Sequence, residues 1–236
     1  MSHPPLNVFD GNLLKELSRA LDDVGSRTDV HVVILDSDEK VFSAGVDVRD
    51  HLPDRLNEML ERFHGSCRQL LRLDAVTVAL VSGHAFGGAM ELLACCDFVI
   101  AAEEAAFAQP EIDLACFPPF GAAIYPNLLG SKRAAEIVLL GRRLAAREAE
   151  HYGLVTKVVS RDRLAPEAEV LVCALAEKSP AALRIAKKAL RLGWARGLEG
   201  LEDIEALYRE ELAATEDMVE GLRAFLEKRK PVFRGK

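Results

Sequence analysis

Val76-Thr77-Val78-Ala79-Leu80-Val81 runs without a break into Ser82-Gly83-His84-Ala85-Phe86-Gly87-Gly88-Ala89-Met90-Glu91. The first six residues are apolar and rich in β-branched side chains, the pattern of a strand buried on both faces. Gly83 to Gly88 then reads as a loop that opens a helix reaching about Cys96. The same rhythm recurs on either side. Val30 to Leu35 reads as a strand, Asp36 to Lys40 as a polar turn, and Phe42-Ser43-Ala44-Gly45-Val46-Asp47 as a short glycine-containing loop. Phe98 to Ala101 and Leu154 to Val159 read as two further strands. Strands alternating with loops and helices imply an α/β core with mainly parallel strands.

The helices bracket this core. Asp10 can cap a helix whose apolar positions Leu13, Leu14, Leu17, Ala20, Leu21 and Val24 recur at helical spacing, with Gly25 ending it. A second amphipathic helix follows Pro53, with Leu56, Met59, Leu60, Phe63, Cys67, Leu70 and Leu71 on one face. Between about Pro119 and Gly141 the pattern is helical, with Ser131 an N-cap and Gly141 a stop. After about Arg161 the chain turns wholly helical. Ser179-Pro180 separates two helices, Gly193, Gly197 and Gly200 punctuate the next, and a terminal helix runs from about Thr215 to Lys230. The expected division is a core over 1–165 and a helical region over 166–236, whose apolar faces need cover from the core or from a second subunit.

Composition excludes several classes. Of 236 residues half are apolar, enough for a sizeable core, and the net charge is −7. Acids and bases are interspersed, so no basic stripe tracks a phosphate backbone and nucleic acid is not expected. The cysteines, Cys67, Cys95, Cys96, Cys116 and Cys173, are odd in number and lack a C-x-x-C spacing, which fits small buried hydrophobes in a reducing cytoplasm. The start has no basic region followed by an apolar run, so no signal peptide is expected. His84, Glu91 and Asp97 interrupt the most apolar stretch, so no membrane span is expected either.

Chemistry points to the two glycine loops, because ligand sites in parallel α/β folds gather beyond the carboxyl ends of strands. A helix that begins near Gly88 presents free N–H groups and a positive dipole end to an anion or a developing oxyanion. Two such N–H groups, one from each loop, would form an oxyanion hole. Gly-Gly before a helix is also what tight packing requires. Glu91, inside Ala89-Met90-Glu91-Leu92-Leu93, is expected to be poorly solvated, which raises its pKa into the range of neutral proton exchange. It also suits a helix N-terminus electrostatically. Glu111, after Gln109-Pro110, begins a new element at a loop and reads equally as a surface residue of a turn.

Taken in order, these segments resemble the crotonase (enoyl-CoA hydratase/isomerase) superfamily over nearly the whole chain. Phe42–Asp47 is similar to the family's first CoA-binding and oxyanion loop, and Ser82–Glu91 to its second. Cys96-Asp97, Phe107-Ala108-Gln109-Pro110-Glu111-Ile112, Gly153-Leu154-Val155-Thr156-Lys157 and the tail Phe225–Pro231 follow in the family's order. The resemblance implies a spiral of β-β-α units with a C-terminal helical trimerisation region, assembling as a homotrimer or a dimer of trimers. It implies oxyanion N–H groups from Val46 and Gly88, and an acid/base pair of Glu91 and Glu111, twenty residues apart as in the family's hydratases. The implied substrate is an acyl-CoA, with Ser43, Ala44, Asp47, Val48, Phe117, Pro118, Phe120, Tyr125, Phe225 and Lys228 as its contacts. Coenzyme A arrives as part of that substrate; no metal and no dissociable cofactor is implied.

Both carboxylates together favour water addition over double-bond isomerisation, the alternative within the family. They also argue against a non-catalytic acyl-CoA-binding relative, and the negative charge against an RNA-binding one. By family analogy Glu91 takes a proton from water and Glu111 supplies one to Cα, while which of them holds the proton at rest stays open. Three departures stand out. Cys116-Phe117-Pro118-Pro119-Phe120 with Tyr125 replaces a glycine-rich stretch and is expected to make a stiff aromatic wall. That wall resembles the subgroup hydrating cyclohexa-1,5-diene-carbonyl-CoA, beside a straight-chain acyl group as the other reading. Ala89 replaces a third glycine and is tolerated in a helix. Pro4-Pro5-Leu6-Asn7 falls where relatives already have a strand pair, without which a sheet edge would be left open. His84 is expected to pack or contact CoA, and Trp194 to pack in the tail.

Overall fold

The structure is a computed structural model that describes residues 1–52, 54–196, 207–212 and 214–236. Two sheets carry the core. The first has the order β1 (Val32–Leu35), β2 (Val76–Val81), β4 (Phe98–Ala102), β7 (Lys157–Val159); the second has the order β3 (His84–Phe86), β5 (Ala106–Ala108), β6 (Leu144–Ala145). β2 pairs parallel with β4, Val78 opposite Phe98, and β4 parallel with β7, Ile100 opposite Lys157. In the second sheet β3 and β5 are parallel, His84 opposite Ala106, whereas β5 and β6 are antiparallel.

This arrangement is a spiral. Each turn sends its first strand to one sheet and its second to the other: β2 then β3, followed by the helix α3 (Gly88–Leu93); β4 then β5, followed by a 3-10 turn (Pro110–Leu114) and α4 (Pro119–Leu129). The mixed α/β class with parallel strands is as the sequence implies. The strands β3, β5 and β6 are additions to it. At three, three and two residues they are too short to show a period, and β3 lies inside the expected Gly83–Gly88 loop.

Local chemistry accounts for the helices. Asp10 caps α1 (Gly11–Gly25) by accepting from Asn12 N and Leu13 N at 3.0 and 2.8 Å. α2 (Leu56–Arg72) buries Met59, Phe63, Cys67 and Leu70. The helical stretch expected from Pro119 to Gly141 holds two helices, α4 and α5 (Ser131–Leu140). Gly130, at φ 88° and ψ 145°, makes the break and occupies the capping position expected of Ser131. Gly141 does stop α5, in the left-handed region.

Two compact units emerge, 1–27 with 33–73 and 77–168, and 28–32 with 74–76 and 169–236. The second therefore takes two short segments that a single cut at 165 assigns to the core. Within it, Lys187 Nζ donates to Ala75 O at 2.6 Å, and Ser179 caps the helix Pro180–Arg196 while donating to Asp217 at 2.6 Å. The five cysteines are free thiols. Cys67 and Cys95 are buried as expected, but Cys173 is exposed and Cys116 only partly buried. Among the described residues no helix is long and apolar enough to cross a membrane.

Candidate active site

The first unit holds a cavity of about 420 Å³. Ala44, Val46 and Val48 line it from the first loop, Gly87, Gly88 and Glu91 from the second, and Glu111 from the 3-10 turn. Leu56, Met59, Leu60 and Phe63 of α2 and Leu114, Phe117 and Pro118 complete an apolar wall. That size and lining suit a small, largely apolar ligand group whose polar end meets a few fixed groups.

Backbone pairing sets the two loops side by side. Phe42 N donates to His84 O at 2.9 Å, and Phe86 N to Ser43 O at 3.2 Å, so the first loop extends β3. Ser43 is fully buried. Its hydroxyl donates to Asn7 O and accepts from Gly45 N, so it braces the loop and does not face the cavity. Gly45, at φ +96°, has no room for a side chain, since a Cβ there would come within 2.6 Å of Phe86 O.

The flanking N–H groups are all engaged: Gly45 N with Ser43 Oγ, Asp47 N with Phe9 O, and Gly87 N with Ala108 O. Among the described residues neither Val46 N–H nor Gly88 N–H donates to a protein acceptor, and both residues line the cavity. The Gly88 N atom is close to the first loop: a Cβ on Gly45 would be 3.3 Å from it. The helix that Gly88 opens is shorter than expected, six residues in place of a run to Cys96, so the two free N–H groups carry more of any oxyanion stabilisation than a helix dipole does.

Both glutamates reach this cavity. Glu91, on α3, is 3% exposed, and its Oε1 accepts from Gly121 N at 2.6 Å. Burial pushes its carboxyl up to about 7; the Gly121 N–H opposes the rise, a charge on Glu111 adds to it, and the Phe120 N–H opposes it. Burial likewise pushes the partly buried Glu111 up to about 7, against its own backbone N–H.

Gln109, fully buried, ties Glu111 to the rest of the site. The hydrogen-bond network decides which way its carboxamide faces. With the oxygen accepting from the Tyr125 hydroxyl, the nitrogen donates to Glu111 Oε2 at 3.0 Å, Glu111 Oε1 at 3.1 Å and Gly87 O at 3.2 Å; the reverse leaves the oxygen facing only acceptors. Gln109 has no assigned role in the sequence reading; a carboxamide that ends the apolar run Ala106-Phe107-Ala108, two residues before a carboxylate, is the signal for it. The N–H of Gly121 and the α2 wall were missed as well, because α2 read simply as a core helix.

Several expected contacts sit elsewhere. Tyr125 is fully buried and does not line the cavity: in α4 the buried positions Gly121, Ile124, Tyr125 and Leu129 share a helical face turned to the core. Phe120 is also absent from the lining and packs its ring 5.6 Å from that of His64. Asp47 caps the turn Val48–His51 and pairs with Arg49. Phe117 and Val48 do line the cavity and are exposed at it. Phe225 falls on the last helix, Glu216–Leu226, with its side chain outside the described residues, and Lys228 is exposed at φ +54°; both belong to the second unit. His84 stacks on Phe86 at 5.0 Å, with the Arg143 guanidinium over the Phe86 ring. The sequence positions Gly197 and Gly200 lie outside the described residues.

The family model for enoyl-CoA hydratase/isomerase matches residues 1–236. The chain belongs to that family. Relatives within it include the cyclohexa-1,5-dienecarbonyl-CoA hydratase of Thauera aromatica, 34% identical over 97% of this chain and 89% of its own. A Rhizobium meliloti protein named "Probable enoyl-CoA hydratase" is 37% identical over 97% and 90%. The crystal structure of the enoyl-CoA hydratase from Bacillus anthracis superposes with a TM-score of 0.90 at 34% identity, covering 97% of this chain and 91% of that one. The crotonase spiral, read from β-β-α turns, is therefore the family's fold.

Proposed function

We propose that this chain is an enoyl-CoA hydratase that adds water across the 2,3 double bond of an acyl-CoA thioester, with Glu91 and Glu111 as its acid/base pair. The observation that carries the proposal is the pair of carboxyls, both held near neutrality, on one apolar cavity that two unengaged N–H groups also line. In the proposed reaction the thioester oxygen lies at Val46 N–H and Gly88 N–H. Attack of water on Cβ shifts an electron pair through Cα to that oxygen, and the two N–H groups stabilise the enolate charge. Glu91 takes one proton from the attacking water, Glu111 delivers one to Cα, and the sum is one water added. Mutual repulsion disfavours charge on both carboxyls, so a single proton shared by the pair is the resting state near pH 7.

No dissociable cofactor enters these steps, and coenzyme A comes and goes with the substrate. Phe117, Val48 and the α2 wall bound the acyl group. The likeness to the Thauera aromatica hydratase makes a cyclic dienoyl thioester the second substrate to assay beside crotonyl-CoA. The assembly proposed is a homotrimer or dimer of trimers in the cytoplasm, which sedimentation of the purified protein measures.

The test follows loss of the enoyl-thioester absorbance together with product mass for both thioesters. Hydration raises the mass by one water; isomerisation leaves it unchanged and would replace hydratase by isomerase. Glu91→Gln and Glu111→Gln should each slow hydration by about 10³-fold. If both variants keep wild-type turnover, the acid/base assignment fails.

A further inference from the structure

Tyr125 has no step in the proposed reaction, yet it is the group that connects the supports of both glutamates. It is fully buried in α4, and its hydroxyl pairs with the Gln109 side chain. A phenylalanine would fill the same space without burying a polar atom, so the hydroxyl is accounted for by its bond and not by packing. That bond has a direction. The Gln109 nitrogen side faces Gly87 O and both Glu111 oxygens, all acceptors, so the amide oxygen faces Tyr125 and the phenol is the donor.

The other end of the contact is the ring. A Cβ built on Gly121 would fall 2.5 Å from Tyr125 Cε2 and 3.0 Å from Cζ, so the ring lies directly against the Gly121 backbone. The N–H of Gly121 is the one that donates to Glu91 Oε1. One side chain thus touches the residue that supports each carboxylate.

Building on the hydratase reading above, we propose that Tyr125 is a positioning residue for the acid/base pair: its hydroxyl locks the Gln109 carboxamide with N–H toward Glu111, and its ring seats the Gly121 N–H on Glu91. It touches neither the cavity nor the reacting atoms, and it acts only through Gln109 and Gly121. Without the hydroxyl, the Gln109 carboxamide loses its preference and can turn its oxygen toward Glu111. The ionised form of Glu111 then loses a donor and gains an unfavourable dipole, so its titration moves upward. The titratable groups that share the cavity wall with Glu111 are Glu91 on α3, His51, His64 and Cys116. Glu91 and Glu111 also face the Tyr125 phenol electrostatically, and burial pushes that phenol well up, so it stays neutral in the range read.

The experiment compares Tyr125→Phe, Gln109→Leu and the double variant with wild type. It reads kcat and KM against pH, and independently the Glu111 carboxyl titration by NMR with 13C-labelled glutamate, assigned from its absence in Glu111→Gln. Tyr125→Phe keeps the ring against Gly121, so it should fold and melt near wild type. We expect kcat to fall about 10-fold with KM within about twofold, and the Glu111 titration to rise by about one pH unit. Because Tyr125 reaches Glu111 only through Gln109, the double variant should be no worse than Gln109→Leu alone. An unmoved Glu111 titration in Tyr125→Phe, or losses that multiply in the double variant, would overturn the proposal. The two failures separate cleanly: a wild type that hydrates no enoyl-CoA, with the titration still displaced, sinks the hydratase reading and leaves the brace standing. Hydration lost in Glu111→Gln, with no displaced titration in Tyr125→Phe, does the reverse.

Discussion

Glu91 and Glu111 arrive at the same acidity by opposite construction. Glu91 stands on a helix whose six residues are all buried, and a backbone N–H, that of Gly121, holds it. Glu111 stands on a 3-10 turn with no buried residue, and another side chain, Gln109, holds it. Both carboxyls are nonetheless pushed up to about 7, mainly by burial of the carboxyl itself. A carboxyl raised toward neutrality thus needs a dry head group and does not need a buried backbone. What the backbone decides is the means of support: rigid main chain for Glu91, an adjustable side-chain relay for Glu111.

The largest expected effect tests whether two such differently mounted groups do equal work. Glu91→Gln and Glu111→Gln should each lower kcat by about 10³-fold, the middle of what positioned acid/base groups contribute. Steady-state hydration kinetics with the best thioester check it. A loss confined to one variant would make the other carboxyl a spectator and end the symmetry of the pair.

Next in size are the glycines that frame the pair, and they sharpen the contrast between main-chain and side-chain support. A Cβ on Gly88 would meet Val46 Cγ2 at 2.8 Å and Phe63 Cζ at 2.9 Å, so Gly88→Ala displaces the Val46 loop and its N–H. The expectation is about 100-fold in kcat, the scale of one oxyanion donor. Gly87 sits at φ +55°, and a Cβ there would lie 2.8 Å from Glu111 Oε1, so Gly87→Ala should both strain the backbone and push Glu111 off Gln109. Gly65 is the control. On α2 with nothing within 4 Å of its Cβ position, Gly65→Ala should leave kcat alone and add about 1 kcal/mol of stability. Calorimetry beside the kinetic assay separates the three.

Much of this site was legible from sequence because its parts are local. A strand that ends in glycines and enters a helix announces a loop with free N–H groups, and the order of motifs implied the family. What was not legible depended on helical phase and on distance. Phe117, Phe120 and Tyr125 are close in sequence and aromatic, so they read as one wall. Yet Phe117 precedes α4 and faces the cavity, whereas Tyr125 shares the buried face of α4 with Gly121. The helical pattern begins at Pro119 as α4 does, yet it does not show which face turns to the core, and the fold puts Gly121, Ile124, Tyr125 and Leu129 there. The cavity wall from α2 was hidden for another reason: an amphipathic helix shows which face is apolar, not which part of that face meets a void.

The pH dependence of folding distinguishes the two mounts once more. Each carboxyl is raised in the folded protein from 4.5 to about 7. The folded state therefore binds protons more readily than the unfolded chain between those values. Stability from this source is fully present below pH 4.5 and is lost as pH rises through about 7. For the fully buried Glu91 the shift corresponds to a penalty on the order of 3 kcal/mol above pH 7. Glu91→Gln should flatten the denaturation midpoint against pH and exceed wild type in stability at pH 8, while being inactive. Glu111→Gln should do the same to a smaller degree, since its carboxyl is nearer solvent. Equal gains would mean that backbone burial is irrelevant to the ionisation cost; no gain in either would mean the carboxyls are solvated.

The smallest expected effect lies at the cavity mouth, where neither glutamate is touched. Phe117 is 61% exposed and lines the cavity beside Pro118 and Pro119, whose fixed φ angles hold the segment. Exposure means that Phe117→Ala costs the fold little. Removing the ring withdraws apolar surface from the acyl group in the ground state and the transition state alike, so KM should rise by about 3- to 10-fold with kcat nearly constant. The direction of selectivity is the informative part. A ring-shaped acyl group can lie flat against the Phe117 face, whereas a four-carbon chain covers less of it, so the cyclic dienoyl thioester should lose more than crotonyl-CoA. Measuring kcat/KM for both in competition checks this. Equal losses would move the choice of acyl group away from Phe117 and onto the α2 wall at Leu56, Met59 and Leu60.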